Sequence, residues 1–590
     1  TNFINNHNPD FQSFVRLNRL NGMATFMFSD FTSSSNSPCI EDHGIGIEAQ
    51  NSIFAVHWGC TFNNLGYGVK NNAANGQKPF FVWNSNFNGC YRGVYSNSVG
   101  NFTIWKNVFD NSGLSTSNIS SCTGQDGQIN NQVAIYLEGL MFGADIQENE
   151  FKNSSLLTAV NIFADDIGPI NNKIRNNIFN SPNGIVGDHQ NSTTFPAGTF
   201  NLNSKRGLYF SCNDFYSSDK AVWSIDEFRL GIRQIQFHID QNEQLATAAN
   251  KWLNGSNDDI INDYTLGTDI EYYHSMQPFD EPNEVLGVLK FDRANYTCAT
   301  ETTTIFGLNP TDPSDPSTGV QHDDVPTDLP TKITRQTDIE NDISDLENNN
   351  NGSVSTPFAE EIGTGLWEQN DDLLADIIAT YQLYPTVWNE ASYINYLMKL
   401  NSIVGDYTAF NYYVGQNNWS SATNILNSIP TKYYMDSYQV ADYNRLVNLY
   451  TIVNGTPLDQ LTNSQVSNVI THADGVKGTS RSWARSILTL YGYNYTSTFE
   501  LPTSKTRNSK EQEVVSEIHI YPNPVHDRLN IESKNVINSF VIESITGSEV
   551  SRSSAQSINS IDVSSLQNGI YILKLQNGNE IIETHRFIKI

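Results

Sequence analysis

Residues 1–225 repeat one pattern of apolar and polar positions. A small or flexible residue followed by a β-branched residue returns about every 22–25 residues, with longer steps where a loop is inserted. The pairs are Gly46-Ile47, Gly68-Val69, Gly93-Val94, Ala134-Ile135, Ala159-Val160, Gly184-Ile185 and Ala221-Val222.

A series of phenylalanines runs in step with these pairs, each lying among Asn, Asp or Cys: Phe62, Phe87, Phe109, Phe151, Phe179 and Phe215. A third short apolar run precedes each member of this series. Three short strands per repeat, joined by turns rich in Asn and Gly, predict a right-handed parallel β-helix. One turn of such a helix cannot bury its own apolar face, but stacked turns share one core. Asn suits the corners, and asparagines at one corner can bond to each other in a ladder.

The pattern changes twice after the repeats. A mixed region predicts a cap over the end of the β-helix, and a stretch rich in Thr, Pro, Asp and Asn predicts a linker with a short helical patch. Apolar positions then recur at i, i+3, i+4 and i+7, which predicts five to seven helices. The predicted divisions are 1–240 for the β-helix, 241–298 for its cap or extension, 299–357 for the linker, 358–500 for an α-helical domain, 501–514 for a second linker and 515–590 for a small antiparallel β-sandwich.

The charge of the chain narrows the classes of partner. The 590 residues carry a formal net charge of −29 at pH 7. Nucleic acid and anionic membrane surfaces both favour basic proteins, so neither is an expected partner. No apolar run approaches the ~18 residues that a transmembrane helix needs. The six cysteines have no zinc-binding spacing; disulfides and buried free thiols both remain open, and the pairing is not deducible.

The C-terminal residues carry the most specific motifs. Tyr521-Pro522-Asn523-Pro524 is followed by Leu566, Gly569 and Tyr571 in an L-x-x-G-x-Y pattern, and the chain ends in Arg586, Phe587 and Lys589. In order and spacing these motifs resemble the type A sorting domain of type IX secretion cargo proteins. Arg586 departs from that family, in which Lys is usual.

This resemblance implies an extracellular or cell-surface protein of a Bacteroidetes-type bacterium, exported through the periplasm. It also implies recognition of residues 515–590 by an outer-membrane translocon and its shuttle protein, and cleavage by a surface sortase. Residues near Thr1 have neither the basic nor the apolar segment of a signal peptide and look like the middle of a repeat. We therefore expect the sequence to be a mature or partial form.

Acidic residues on two successive repeats form the one candidate catalytic site. Asp165 and Asp166 follow one strand, and Asp188 and His189 follow the next. Paired carboxylates beside a histidine suit acid–base hydrolysis of a polysaccharide or, with calcium, a lyase reaction. The site resembles that of polygalacturonases only in part, because the N-T-D, G-H-G and R-x-K motifs are missing.

The repeat also predicts how these residues stack. Pairing Val160 with Ile185 places Asp188 beside Phe163 and His189 beside Ala164. All four candidate side chains would then lie within two neighbouring turns. Solvated turn residues are the simpler interpretation. Four tryptophans could stack on sugars or belong to the core: Trp58, Trp83, Trp105 and Trp223.

Two functions fit these observations. The first is a non-catalytic adhesin or glycan-binding protein without a cofactor, whose C-terminal domain directs export and whose helical domain is a spacer or a second interaction module. The alternative is a secreted polysaccharide lyase or glycoside hydrolase that acts on the face of the β-helix through Asp165, Asp166, Asp188 and His189. A groove where these residues converge would favour the enzyme.

Overall fold

The structure is a computed structural model of the whole chain. The residues it describes are 2–5, 13–112 without 36 and 38, 114, 132–152, 159–191 without 190, 206–225 without 217–219, 231–239, 245–253, 258–263, 270–274, 279–292 without 280, 283–284 and 287, 298, 328–349, 357–493, 495, and 518–589 without 522–524, 534–536, 545–548, 556, 568 and 578–579.

Three parallel sheets form a β-helix, and consecutive strands along the chain belong to different sheets. Strands are numbered in chain order. The first sheet contains β1 Asn2–Asn5, β4 Asp30–Ser33, β7 Thr61–Asn63, β10 Asn86–Asn88, β13 Val108–Asp110, β16 Glu150–Phe151, β19 Ile178–Phe179, β22 Asp214–Phe215 and β27 Lys251–Trp252. The second contains β2 Ser13–Asn18, β5 Ile45–Gln50, β8 Tyr67–Asn72, β11 Arg92–Asn97, β14 Val133–Glu138, β17 Val160–Asp165, β20 Asn183–Asp188, β23 Lys220–Ser224, β28 Asp258–Asn262 and β30 Val285–Leu286. The third contains β3 Ala24–Met27, β6 Phe54–His57, β9 Phe80–Trp83, β12 Phe102–Trp105, β15 Ala144–Gln147, β18 Asn172–Arg175 and β21 Leu208–Ser211.

The stack continues beyond residue 240, in the segment predicted as a cap or extension of the β-helix. Strands β27, β28 and β30 extend two of the three sheets. Two smaller sheets accompany them; one is parallel and the other is an antiparallel pair. Their strands are β24 Ile235–Gln236, β25 His238–Ile239, β26 Leu245–Ala246, β29 Ile270–His274 and β31 Val288–Asp292.

A ladder of aromatic rings fills one side of the core. The six predicted phenylalanines stack face to face, and the structure adds Phe31 before Phe62 and Trp252 after Phe215. Neighbouring ring centroids are 4.7–5.0 Å apart, and no interplanar angle exceeds 11°. This distance matches the spacing between strands, so each turn adds one ring to the stack.

The predicted asparagine ladder is present at one corner. The side-chain Nδ2 of each member donates to the side-chain Oδ1 of the next at 3.0 Å. The ladder is fully buried, so every amide inside it must be hydrogen-bonded to avoid the cost of desolvation. Its members are Asn107, Asn149, Asn177, Asn213 and Asn250.

Eight helices follow in the described residues. Seven lie in the predicted helical domain, and the first lies inside the predicted linker, where it is longer than the expected patch. Their bounds are α1 Leu329–Asn349, α2 Pro357–Leu383, α3 Glu390–Lys399, α4 Ile403–Gly415, α5 Trp419–Lys432, α6 Ser437–Val453, α7 Asn463–Ala473 and α8 Thr479–Thr489. None of these helices is long and apolar enough to cross a membrane.

The helices and the β-helix belong to one compact unit. Phe142 and Ile170 of the β-helix share an apolar cluster with Leu374 and Ile378 of α2. Buried ion pairs reinforce the contact: Arg233 Nη1 lies 2.7 Å from Glu368 Oε2 in α2. The two regions therefore pack as one unit, because both would expose apolar surface if they separated.

Disulfides and free thiols are both present. Cys212 and Cys298 form a disulfide, and Cys39 is also disulfide-bonded. Cys60 and Cys90 are free and buried in the core of the β-helix.

Described residues between 518 and 589 form a second compact unit, a two-sheet antiparallel sandwich. One sheet has three strands and the other has four. The strands are β32 Ile518–Tyr521, β33 Arg528–Ser533, β34 Ser539–Ser544, β35 Glu549–Ser554, β36 Ser560–Asp562, β37 Gly569–Asn577 and β38 Glu580–Lys589. The fold class predicted from the sequence, a β-helix followed by helices and a small β-sandwich, is confirmed.

Candidate functional site

The candidate carboxylates belong to one column of residues at the end of the second sheet. Successive members are Cα partners across neighbouring strands, so their side chains lie one above the other along the β-helix. The column consists of Gln50, Asn72, Asn97, Glu138, Asp165 and Asp188.

The predicted stacking of this region was wrong by two residues. Ile185 is the partner of Ile162, not of Val160, and Asp188 is therefore the direct partner of Asp165. The error arose because Ala159-Val160 imitates the repeated pair, whereas in this strand Asn161 takes the place of the small residue. The corrected register brings the two carboxylates together.

Asp165, Asp188 and His189 converge as one cluster. The Nδ1 atom of His189 lies 2.8 Å from Asp165 Oδ1 and 3.1 Å from Asp188 Oδ1. Asp166 is also buried, and it takes a left-handed corner conformation with φ of 57°. Its backbone N–H donates to the Asp188 carbonyl at 3.2 Å. Asp165, Asp188 and His189 each offer one possible metal-ligand atom, and these atoms all lie within 4.8 Å of one another. Asp166 does not belong to this group.

A lysine from the helical region completes the cluster. Lys477, in the loop between α7 and α8, places Nζ 2.9 Å from Asp188 Oδ2 and 3.7 Å from Asp165 Oδ2. Lys477 was not among the residues predicted from the sequence. No local signal could have found it, because it lies 289 residues from its partner.

Electrostatics holds all four groups in their charged forms. Burial alone would lower the pKa of His189, but the two carboxylates outweigh it and raise this pKa to about 10. Burial would likewise lower the pKa of Lys477, and the same carboxylates raise it instead. Burial opposes ionisation of Asp165 and Asp188, yet Lys477 and His189 hold both carboxyl pKa values below their ordinary range. The result is two anions paired with two cations.

This charge balance limits the chemistry of the cluster. A protonated His189 cannot act as a base, and a carboxyl group with a lowered pKa is a poor proton donor near neutral pH. Calcium requires six to eight oxygen ligands, whereas here an ammonium and an imidazolium already surround the two carboxylates. The residues therefore do not fit calcium, and the cluster is best described as a buried ionic contact between the α8 loop and the β-helix.

The whole of helix α8 follows the same column. Gln50 donates to the Ser486 carbonyl at 2.9 Å, and Asn97 donates to the Ser482 carbonyl at 3.2 Å. Every residue from Ser480 to Leu488 is buried. Helix α8 and Lys477 in the loop before it thus cover the edge of the β-helix that carries the candidate catalytic residues.

The candidate tryptophans are also covered. Trp58, Trp83 and Trp105 share a buried cluster with residues of α2, and no more than 7% of any of their surfaces is exposed. Trp223 is 3% exposed. None of the four presents a ring face to a ligand in solution.

The outward face of the first sheet is open by contrast. Asn88, Ile178 and Tyr216 are exposed there, while the outward residues of the second sheet from Lys70 to Ile261 are buried. Three side chains of the first sheet form hydrogen bonds along the stack: Asn63 donates to Thr32 Oγ1 at 3.1 Å, and Asn88 donates to Asn63 Oδ1 at 2.8 Å. These contacts fix the orientation of the two amide groups on this face.

In the C-terminal sandwich, sequence motifs far apart along the chain meet. Tyr571 and Phe587 are partners across the β37–β38 hairpin, with ring centroids 5.6 Å apart. Gly569 is the partner of Lys589, and Lys589 also forms a parallel bridge with Val525, one residue after the Tyr521–Pro524 motif.

The remaining motif residues have different places. Phe587 is fully buried, and Leu566 is half-buried against the same core. The backbones of Tyr521 and Arg586 pair with those of Asn530 and Ile572. Residues 522–524, and with them Pro522, Asn523 and Pro524, lie outside the described residues.

Comparison with known proteins identifies this last unit. Residues 519–590 match the family model described as the secretion system C-terminal sorting domain. Searches of curated proteins and of solved structures found no match. The match covers the C-terminal sandwich, so the chain carries a type IX secretion sorting domain, which marks it for export to the cell surface or the extracellular space.

Proposed function

We propose that the exported protein is a non-catalytic adhesin or glycan-binding protein, and that the outward face of the first sheet is its binding surface. The observation that carries this proposal is the exposure of that face, whose side chains are mainly amides, hydroxyls and charged groups. Such groups can donate to and accept from sugar hydroxyls, and each turn of the β-helix repeats them at the strand spacing of about 4.8 Å.

Two exposed apolar side chains add to this surface. Ile178 lies on β19, Tyr216 directly follows the neighbouring strand β22, and each is 39% exposed. An aromatic side chain with a polar tip is well suited to pack against a sugar ring while its hydroxyl stays in water. Tyr216 is therefore the residue on which we expect binding to depend most.

The ion cluster supports this proposal over the alternative of a polysaccharide lyase or glycoside hydrolase. Catalysis by Asp165 and Asp188 would require Lys477 to leave both carboxylates and α8 to move off the edge of the β-helix. An adhesive surface on the first sheet requires neither movement.

Export would involve partners that recognise the sandwich. We propose that the source is a Bacteroidetes-type bacterium, that an outer-membrane translocon and its shuttle protein bind residues 515–590, and that a surface sortase cleaves this domain.

A binding assay with immobilised polysaccharides tests the proposed surface. The full chain should bind at least one glycan of the panel, and Tyr216→Ala should weaken that binding at least tenfold. Tyr438→Ala is the matched control, because Tyr438 is a 48% exposed tyrosine on helix α6. Equal losses in both variants, or binding to no glycan, would count against the proposal. If the full chain depolymerises any glycan and the Asp188→Asn variant does not, the enzyme is favoured instead.

A further inference from the structure

Helix α8 carries a buried arginine for which the described part of the chain offers no partner on one edge. Arg481 is 8% exposed, and its Nε and Nη2 atoms have no hydrogen-bond acceptor among the described residues. It also forms no ion pair with any acidic residue that the structure describes. A buried charge without compensation is costly, and most buried guanidinium groups in proteins are paired.

The unpaired atoms form one edge of the guanidinium group. Nε and Nη2 point their N–H bonds in the same direction, and this fork matches two oxygens of a carboxylate, phosphate or sulfate. The edge that lacks a partner is therefore the edge with which arginine grips an oxyanion.

The neighbours of Arg481 have partners of their own. Lys477 and Arg485, four residues to either side, face the acidic column: Lys477 pairs with Asp188, and Arg485 Nη1 lies 3.6 Å from Glu138 Oε1. Lys477 and Arg481 lie close enough to repel each other. A second anion beside Arg481 would relieve this repulsion.

The end of the helix adds to the positive potential. Arg481 is the third residue of α8, where unpaired backbone N–H groups favour negative charge. Asp442 accepts from the backbone N–H of Thr479 at 2.8 Å, so one anion already uses this end of the helix.

We propose that Arg481 is the centre of a binding site for one small oxyanion, which helps to fix helix α8 and its loop to the β-helix. The ligand class is a carboxylate or a tetrahedral oxyanion with two neighbouring oxygens for the fork. The Nε and Nη2 atoms are buried, which restricts the ligand to a small ion or one acidic group. This site is separate from the proposed glycan surface.

Thermal unfolding of the full chain tests the site. The chain is dialysed into a chloride buffer and titrated with sodium phosphate, sulfate, acetate or glucuronate at constant ionic strength. We expect a saturable rise in Tm with at least one oxyanion, because a ligand that binds only the folded state stabilises it. Comparing phosphate and sulfate with acetate and glucuronate shows whether the site prefers a tetrahedral oxyanion or a carboxylate.

Variants separate this effect from the general stabilisation that phosphate and sulfate give to proteins. Arg481→Met should lose the saturable rise, and Arg481→Lys, which keeps the charge without the fork, should weaken it at least tenfold in apparent affinity. Arg335→Met, at an exposed arginine of α1, should keep the wild-type response.

A second measurement does not depend on how the variants fold. The wild-type chain is loaded with the anion that raises Tm, dialysed to remove free anion and then denatured. Ion chromatography should detect about one released oxyanion per chain. A rise in Tm that persists unchanged in Arg481→Met, or a response that never saturates in the wild type, would overturn the proposal and leave water as the partner of Arg481.

Discussion

The ammonium of Lys477 lies 2.9 Å from the carboxylate of Asp188, and this contact joins the α7–α8 loop to the seventh strand of the second sheet. Asp165 and His189 complete the group, so each charge has an opposite charge beside it. The pairing explains why two carboxylates can remain ionised while almost fully buried: each cation offsets the cost of removing an anion from water.

Loss of Lys477 should be strongly destabilising. Lys477→Met leaves two buried carboxylates with one remaining cation, and removing one partner of a buried ion pair costs about 3–5 kcal/mol. Urea unfolding of the full chain measures the change. Lys152→Met is the control, because the exposed Lys152 lies 3.8 Å from Asp110 and should contribute less than about 1 kcal/mol. Similar losses in both variants would contradict a buried ionic role for Lys477.

The same cluster predicts that the folded chain loses stability at alkaline pH. The pKa of His189 is raised from 6.5 to about 10, so the folded chain holds this proton more tightly than the unfolded chain. The resulting stability is fully present below pH 6.5 and is lost as the pH rises through about 10. Urea unfolding between these limits should show a decline in the wild type that is smaller in His189→Gln. Parallel pH curves for the two proteins would show that His189 is not the titrating group.

An asparagine of the buried ladder should contribute more to stability than a hydrogen-bonded asparagine on the surface of the β-helix. Asn177→Ala removes the acceptor for Asn149 and the donor to Asn213, leaving buried polar groups without partners at a cost of about 1–3 kcal/mol each. Asn88→Ala removes only an exposed hydrogen bond, and we expect less than about 1 kcal/mol. Chemical denaturation compares the two. A larger loss in Asn88→Ala would contradict the ladder as a stabilising element.

Deletion of residues 515–590 should block export without unfolding the rest. The sorting domain is a compact unit of its own, so the β-helix and the helices keep their shared core after deletion. We expect the truncated chain in the periplasm and the full chain in the medium or on the cell surface. Circular dichroism of the purified truncated chain shows whether it is folded. A folded truncated chain that still reaches the medium would show that the domain is not needed for export.

The sequence by itself determined the β-helix and the sorting domain. Each phenylalanine of the ladder recurs at the same point of its turn, and stacking adds contacts only between neighbouring turns. Every turn therefore needs the same local pattern, and the repeat can be recognised from the sequence. The sorting motifs are short, and their order along the chain can be recognised without knowing that Tyr571 packs against Phe587. Where one turn departed from the pattern, at Asn161, the same reasoning misplaced the register by two residues.

Only the tertiary structure decided what became of the candidate site. The sequence places Asp165, Asp188 and His189 on neighbouring turns, but it contains no local sign that Lys477 lies against them. The same is true of Trp83 and Trp105, which a sequence cannot distinguish from sugar-stacking residues until α2 is seen to cover them. Local periodicity records which residues share a strand face, whereas the packing of distant helices on that face depends on surface complementarity across hundreds of residues.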